Sequence, residues 1–348
     1  MASGPCQDRG GLRGGLSCAK AAFEAAGTWW NQLIGKSGLF PQRGDEGGAW
    51  RRADRVAAVV LFLLAFIFTL IYSKSISPLV REPASLDSGM FQTIGKYWFE
   101  QGVIPYQGLW DSKGPAIFFI NGAGYWLFHS RLGVFFLAVL ALGLAVCFCY
   151  RFLRLEFPPR AALLLAALSL AGLSHCEIDN NVELYALPFL MPAFMHVFVW
   201  ADGYRRNGTF GRHPWKWAVL YGVTVAFCLL TRLTNAVGLC VAMGFIAVAL
   251  VAKGAWRNLG ANVLGFACGF LLLYLPFAAY FQYHGALADM WYAMFWYNLD
   301  YAASSGVAEW TWLRAGSYAT AYTYSLLAVA VSAAALVLRR RNGWDAVL

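Results

Sequence analysis

Apolar and polar positions alternate along this chain in long blocks. Apolar runs cover 56–72, 132–150, 161–174, 182–200, 215–230, 233–252, 258–283 and 318–338. Most approach the ~20 residues that a helix needs to cross a bilayer. The predicted elements are therefore helices, and the fold class is all-α. The shortest block, 161–174, fits a tilted or locally thinned crossing. A further apolar stretch, 116–128, is shorter still and holds Asn121, Gly122 and Gly124. Its length suits an interfacial or re-entrant segment.

The basic residues decide between crossing and not crossing. If 116–128 stays on one side, the clusters at 151–160, 201–216, 253–257 and 339–341 share a side with the N-terminus. The positive-inside rule puts that side in the cytoplasm. If it crosses, RFLRLEFPPR at 151–160 and the arginines at 339–341 face outside, against the rule. The expected architecture has about eight transmembrane helices. The predicted divisions are a cytoplasmic tail at 1–55, a membrane domain at 56–338 and a cytoplasmic stub at 339–348. An outer loop at 73–131 carries an amphipathic helix. An amphipathic helix is also read near 20–34, and 284–317 reads as a long outer loop rich in interfacial Trp and Tyr.

Composition sharpens this picture. Of 348 residues, 59% are hydrophobic and 13% charged, about half the charge of a soluble domain. The net charge of +9 encodes topology in such a chain, and no nucleic-acid partner is expected. The eight cysteines form no CxxC pair and lie mostly in apolar runs, as small core residues do. No HExxH, Walker loop or GxSxG is present, so zinc proteases, nucleotide-driven pumps and serine hydrolases are unsupported.

Polar residues crowd most densely in 85–128. Phe91, Ile94 and Trp98, with Met90, recur at helical spacing and predict a helix over 87–100, stopped by Gly102. Asp87 opens it. It is either an N-cap accepting orphan N–H groups or a base held at the membrane surface. Pro105 and Gly108 then turn the chain. Two more polar clusters follow on the same predicted surface. HCEIDNNVE at 175–183 holds Glu177, Asp179 and Glu183. TRLTN at 231–235 places Arg232 between two apolar runs, where a charge either snorkels or serves function. Lys96 is placed to pair with Glu100 along one helix face.

The 85–128 stretch resembles the first extracytoplasmic loop of the GT-C glycosyltransferases, nearest to bacterial relatives of the dolichyl-phosphate-mannose protein mannosyltransferases. The likeness rests on Asp87, on Gly95-Lys96-Tyr97, on Gly102 with Pro105-Tyr106, and on Trp-Asp-Ser-Lys-Gly-Pro at 110–115. Family members often carry a paired Asp-Glu where this chain has Asp87-Ser88. The resemblance implies an integral membrane glycosyltransferase of the cell membrane, with its N-terminus cytoplasmic. It would move a sugar from a polyprenyl-phosphate carrier to an acceptor hydroxyl on a glycan, lipid or protein. On that likeness Asp87 is the base of an inverting transfer, and Glu183 matches a second outer acid, with Asp179 the runner-up. Lys113, with Arg232, Lys96 and Tyr106, would meet the substrate, Lys113 lying near the lipid phosphate. No cofactor is required. A divalent cation is allowed by the carboxylates, with His175, but not favoured. Membrane lipids are the remaining partners. Two other functions compete: a transporter or flippase of lipid-linked sugars, and a catalytically inactive lipid-binding subunit.

Overall fold

The computed structural model describes residues 52–80, 85–175 and 179–304. It divides into two compact units, 1–59 and 60–348. Only 52–59 of the first are described, as the opening turns of one helix. Residues 1–51 of the predicted tail, the 318–338 span, the C-terminal stub, the 20–34 helix and Glu177 lie outside the described residues, and the last four tail residues, 52–55, already belong to the first helix.

Every regular element described is helical. In order these are α1 (Arg52–Tyr72), α2 (Leu86–Gln101), α3 (Pro115–Phe128), α4 (Arg131–Leu153), α5 (Pro159–Gly172), α6 (Val182–Asn207), α7 (Trp215–Leu229), α8 (Val237–Ala252), α9 (Trp256–Tyr283), α10 (Leu287–Trp291) and α11 (Tyr297–Ser304). Among the described residues five helices are long and apolar enough to cross a membrane: α1, α4, α6, α8 with its preceding 3₁₀ turn, and α9. The apolar helices α5 and α7 are shorter. This is a helical membrane protein by length and composition.

Packing follows the small residues. α7 and α9 approach closely because Gly222 lies under Phe266 and Gly269 under Val219; a Cβ at either would meet backbone at 2.1 or 2.0 Å. Small residues at such crossings let backbones touch where the surrounding lipid gives no hydrophobic drive. α4 receives Phe62 of α1 against Gly143, and Phe66 meets Phe135 edge-on at 5.5 Å. By contrast α8 is splayed, with Val241 70% and Val248 68% exposed.

α2 buries Phe91, Ile94 and Trp98, as its spacing predicts, while Met90 is exposed. Gly95 crosses α3 at Gly122, where a Cβ would sit 2.5 Å from the Gly122 nitrogen. Gly102, with φ 67°, ends α2 in the left-handed conformation.

Both ends of α3 are held at one end of the helix bundle. Its first turn bonds to the last turn of α7 through Ala116 N–H to the Leu230 carbonyl, 2.9 Å. Just beyond its last turn, Arg131 donates to the carbonyl of Val80 in the loop after α1, 3.0 Å.

The 284–304 stretch differs from the expected loop. After Gly285, with φ 69°, it runs as α10, a π-helical turn at Tyr292–Trp296, and α11. No glycine or proline occurs between 286 and 304, so nothing interrupts the helix once it starts.

Candidate functional site

The end that holds α3 also gathers the C-terminus of α1 and the N-termini of α2 and α6. The break between α7 and α8 joins them there. Three consecutive residues bind these elements together. Asp179 accepts from the hydroxyls of Ser73 and Ser75 and from the Ser75 N–H at 3.0 Å. Asn180 donates to the Ser88 hydroxyl of α2 at 2.9 Å and to Asn121 of α3 at 2.8 Å, and accepts from the Tyr185 hydroxyl at 2.9 Å. Asn181 caps α6 by accepting from Leu184 N–H at 3.0 Å. Gln92 extends the network to Ser88 at 3.1 Å and receives the Tyr125 hydroxyl at 3.1 Å. Ser88, Asn121 and Asn180 are buried, and a satisfied polar network there fixes one arrangement of the loop helices.

The Trp-Asp-Ser-Lys-Gly-Pro loop is seated on the α7–α8 break. Gly114 N–H donates to the Thr231 carbonyl at 3.0 Å. A Cβ on Gly114 would lie 2.2 Å from the Leu230 carbonyl carbon and oxygen, so only glycine permits the contact. Pro115 follows at the first position of α3, where its missing N–H costs nothing. The orphan carbonyls ending α7 are thus satisfied by orphan N–H groups starting α3. This backbone pairing brings the neighbouring residues Lys113 and Arg232 to one place.

Tyr106 shapes the loop from beneath. It is buried at φ 73°, a conformation that costs a non-glycine residue ~1–2 kcal/mol. Its ring packs on Phe118 and Phe281 at 5.9 and 5.5 Å, and its hydroxyl donates to the Lys113 carbonyl at 2.8 Å. Burial, and secondarily the charge of Asp111, raises its phenol well above the ordinary value, so it remains a donor. Tyr106 therefore holds Lys113 in position, with its hydroxyl committed to that carbonyl. Asn298 of α11 donates to the Ser112 carbonyl at 3.1 Å, and Trp110 meets Tyr297 edge-on at 4.6 Å.

Asp87 is not the N-cap of α2. Ser85 is, accepting from Ser88 N–H at 3.4 Å. Ser and Asp cap about equally well, and the helix begins at Leu86, one residue earlier than the spacing suggests. Asp87 stands exposed in the first turn, where its charge complements the helix dipole. Across from it, Asp111 accepts from Lys113 N–H at 2.9 Å. The Asp111 carboxyl is pushed up chiefly by burial and further by the charge of Asp87, while the Lys113 N–H and ammonium pull it down.

Glu183, in the first turn of α6, pairs with Arg232 at 2.8 Å, both side chains about half exposed. Lys96 pairs with Glu100 at 4.0 Å, as expected, and lies 5.7 Å over the Tyr125 ring. It sits nine residues beyond Asp87, about 13 Å along α2. The structure therefore brings the segments that carry Asp87, Lys113, Arg232 and Glu183 to one end of the bundle, pairs Glu183 with Arg232, sets Asp179 and Tyr106 as supports, and leaves Lys96 farther along α2.

Sequence reasoning set Asp111 aside as a turn residue beside Lys113, used Asn121 only to judge whether 116–128 crosses, and gave no role to Ser88, Asn180 or Asn298. A usable signal existed for Asn121: a lone amide within an apolar run is buried only with a partner. Among the described residues no cluster of His, Cys, Asp and Glu is arranged to hold a metal ion. Comparison with known proteins returns no matching family model, no matching curated protein and no matching solved structure.

Proposed function

We propose that the chain is an integral membrane glycosyltransferase of GT-C type, drawing sugar from a polyprenyl-phosphate carrier. The observation that carries this is the Trp-Asp-Ser-Lys-Gly-Pro loop locked on the α7–α8 break. That lock joins the backbone next to Lys113 to the backbone next to Arg232, and Asp111, on the same loop, accepts from Lys113 N–H. The transfer needs cations for a departing phosphate and a carboxylate for the acceptor hydroxyl. One loop junction supplies both kinds of group. The phosphate's charge already lies on its oxygens, so no general acid is called for.

An apolar slot of about 560 Å³ is lined by Trp98, Phe119, Phe277 and Tyr280 among others. It connects to the loop through Trp98, Phe281 and Tyr106, and the isoprenoid chain of the donor would lie there. Asp87 acts as the base of a single displacement with inversion, and Glu183 orients Arg232. The eight-span arrangement, with α3 as a loop helix on the extracytoplasmic face, is part of this proposal. The tethering of both ends of α3 to one end of the bundle supports it.

The test is sugar transfer by purified protein from a panel of polyprenyl-phosphate sugars, with Lys113→Ala and Arg232→Ala beside wild type. Transfer by wild type and weakened donor binding in both variants is the expected result. No transfer from any donor in the panel would remove the proposal.

A further inference from the structure

The peptide units on either side of Lys113 are bonded at every polar atom. The Ser112 carbonyl accepts from the Asn298 amide at 3.1 Å, and Lys113 N–H donates to Asp111 at 2.9 Å. The Lys113 carbonyl accepts from the Tyr106 hydroxyl at 2.8 Å, and Gly114 N–H donates to the Thr231 carbonyl at 3.0 Å. Backbone held at all four atoms fixes where the Lys113 side chain starts, and none of the four bonds uses its ammonium. At the opposite end of the bundle, buried His213 before α7 is tied by a single helix, α9. Its N–H donates to Asn258 and its carbonyl accepts from Asn258 and Asn262, at 2.9, 2.8 and 3.1 Å. The partners around Lys113 come instead from three places: its own loop, the α7–α8 break, and α11.

Asn298 reaches the loop because the helix after Gly285 changes phase. Ala286, Met290 and Ala293 are fully buried, at the i, i+4, i+7 spacing of one helix face. An α-helix would bring position 297 to that face next. Instead Tyr297 N–H bonds to the Tyr292 carbonyl, five residues back, in the π-helical turn. That turn takes in one residue more than an α-turn, so Asn298 stands where 297 would. Its amide nitrogen donates to the Ala293 and Met294 carbonyls of the turn at 3.0 and 3.1 Å, as well as to Ser112. Three carbonyls around one nitrogen fix which way the amide faces. Tyr297 is moved aside and meets the Trp110 ring edge-on. Single π-helical turns inside α-helices recur at functional sites.

We propose that Asn298 is a positioning residue for Lys113: by holding the Ser112 carbonyl it fixes the lysine that meets the donor phosphate. This role rests on the glycosyltransferase reading of the same loop. Of the four bonds around Lys113, this is the one made by an exposed side chain. It can therefore be removed while the buried frame beneath the loop stays closed.

The experiment compares wild type, Asn298→Ala, Lys113→Ala and the double variant, each as the full chain in detergent. Binding of undecaprenyl phosphate is measured by titration calorimetry. Hydrogen exchange at the Lys113 and Gly114 amides is measured without ligand. Asn298→Ala should weaken binding by no more than the worth of one hydrogen bond, roughly threefold to tenfold. In the Lys113→Ala background the same substitution should change binding by less than about twofold, because the residue it positions is gone. A loss of equal size in both backgrounds would overturn the proposal, since a general loosening of the fold does not depend on Lys113. Exchange at the two amides should quicken by about threefold or more in Asn298→Ala. Unchanged exchange would overturn the proposal whatever the binding shows. Wild type that binds no undecaprenyl phosphate would overturn the glycosyltransferase reading and the phosphate role with it, and quickened exchange in that case would still show the hold of Asn298 on the loop.

Discussion

The two ends of this bundle solve the same problem differently. Each must satisfy backbone and side-chain polar groups where helices stop. At the His213 end one imidazole, two asparagines and a tyrosine bond mostly to one another and to one backbone unit. Short connections are tied down there by neutral side chains. At the Asp87 end the buried amides and serines do the tying, through Asn180, Asn121 and Ser88. The charged groups Asp87 and Lys113 are left at the surface of a rigid frame. Polar residues spent on tying make a knot; polar residues held by others make a site. That difference is why the Asp87 end carries the proposed chemistry and the His213 end does not.

The largest contrast between the ends should come from glycine. Gly114→Ala drives a Cβ into the Leu230 carbonyl, which is backbone and has no room to yield. Overpacking costs ~1–3 kcal/mol, and each hydrogen bond lost at the seat adds ~1 kcal/mol. Gly208→Ala, at the other end, meets nothing within 4 Å and strains only its φ of 66°, at ~1 kcal/mol. Thermal unfolding in detergent should show the Gly114 variant to be the less stable by a wide margin. Equal shifts would mean that the loop is not seated on α7.

Next come the amides. Asn180→Leu strands the partners of a buried network and should cost ~1–3 kcal/mol. Asn262→Leu strands His213 and should cost about the same. The ends separate in activity: transfer per folded molecule falls only for Asn180→Leu, because only that network positions Asp87 and the loop. A matching fall in both would erase the distinction between knot and site.

These amides also mark where the sequence stops being readable. The apolar blocks gave α4, α7, α8 and α9 nearly to their ends, and α6 to within two turns of its C-terminal end at Asn207, while the Phe91–Ile94–Trp98 spacing gave α2, because periodicity is local. Ser85, two residues before Asp87, was within reach of the same reasoning but competes with Asp87 on equal capping strength. The bonds from Asn180 to Ser88 and Asn121 join positions 92 and 59 residues apart, and no local pattern encodes them. Asp111 reads as a turn residue, which it is, and only its burial gives it a second meaning.

Smaller effects should follow from charge. Arg232→Ala should weaken donor-lipid binding by the value of a charge-assisted contact, ~1.5–3 kcal/mol, and Lys96→Ala much less. The Arg232–Glu183 pair itself adds only ~0–1 kcal/mol to folding, since it is exposed. Isothermal binding of a polyprenyl phosphate would compare the two variants. Equal, negligible losses would place the phosphate elsewhere.

The smallest is a pH effect. Burial raises the folded Asp111 carboxyl above its unfolded value, so the folded state binds the proton more tightly. The stability this contributes is fully present below the unfolded value and is lost as pH rises through the folded one. Asp111→Asn keeps the acceptor for Lys113 N–H and should flatten the fall in Tm as pH rises above the ordinary carboxylate value of about 4. An unchanged slope would mean that Asp111 is better solvated than its place in the loop indicates.

The central claim is that Asp87 is the base, and Asp87→Asn tests it most directly. Ser85 is the cap of α2, so the substitution leaves the helix start intact. The measurement is single-turnover sugar transfer from a polyprenyl-phosphate donor that wild type uses, with donor binding measured on the same preparations. The account predicts a folded variant that binds donor normally and transfers roughly 10²–10⁴-fold more slowly. Transfer at the wild-type rate would contradict it.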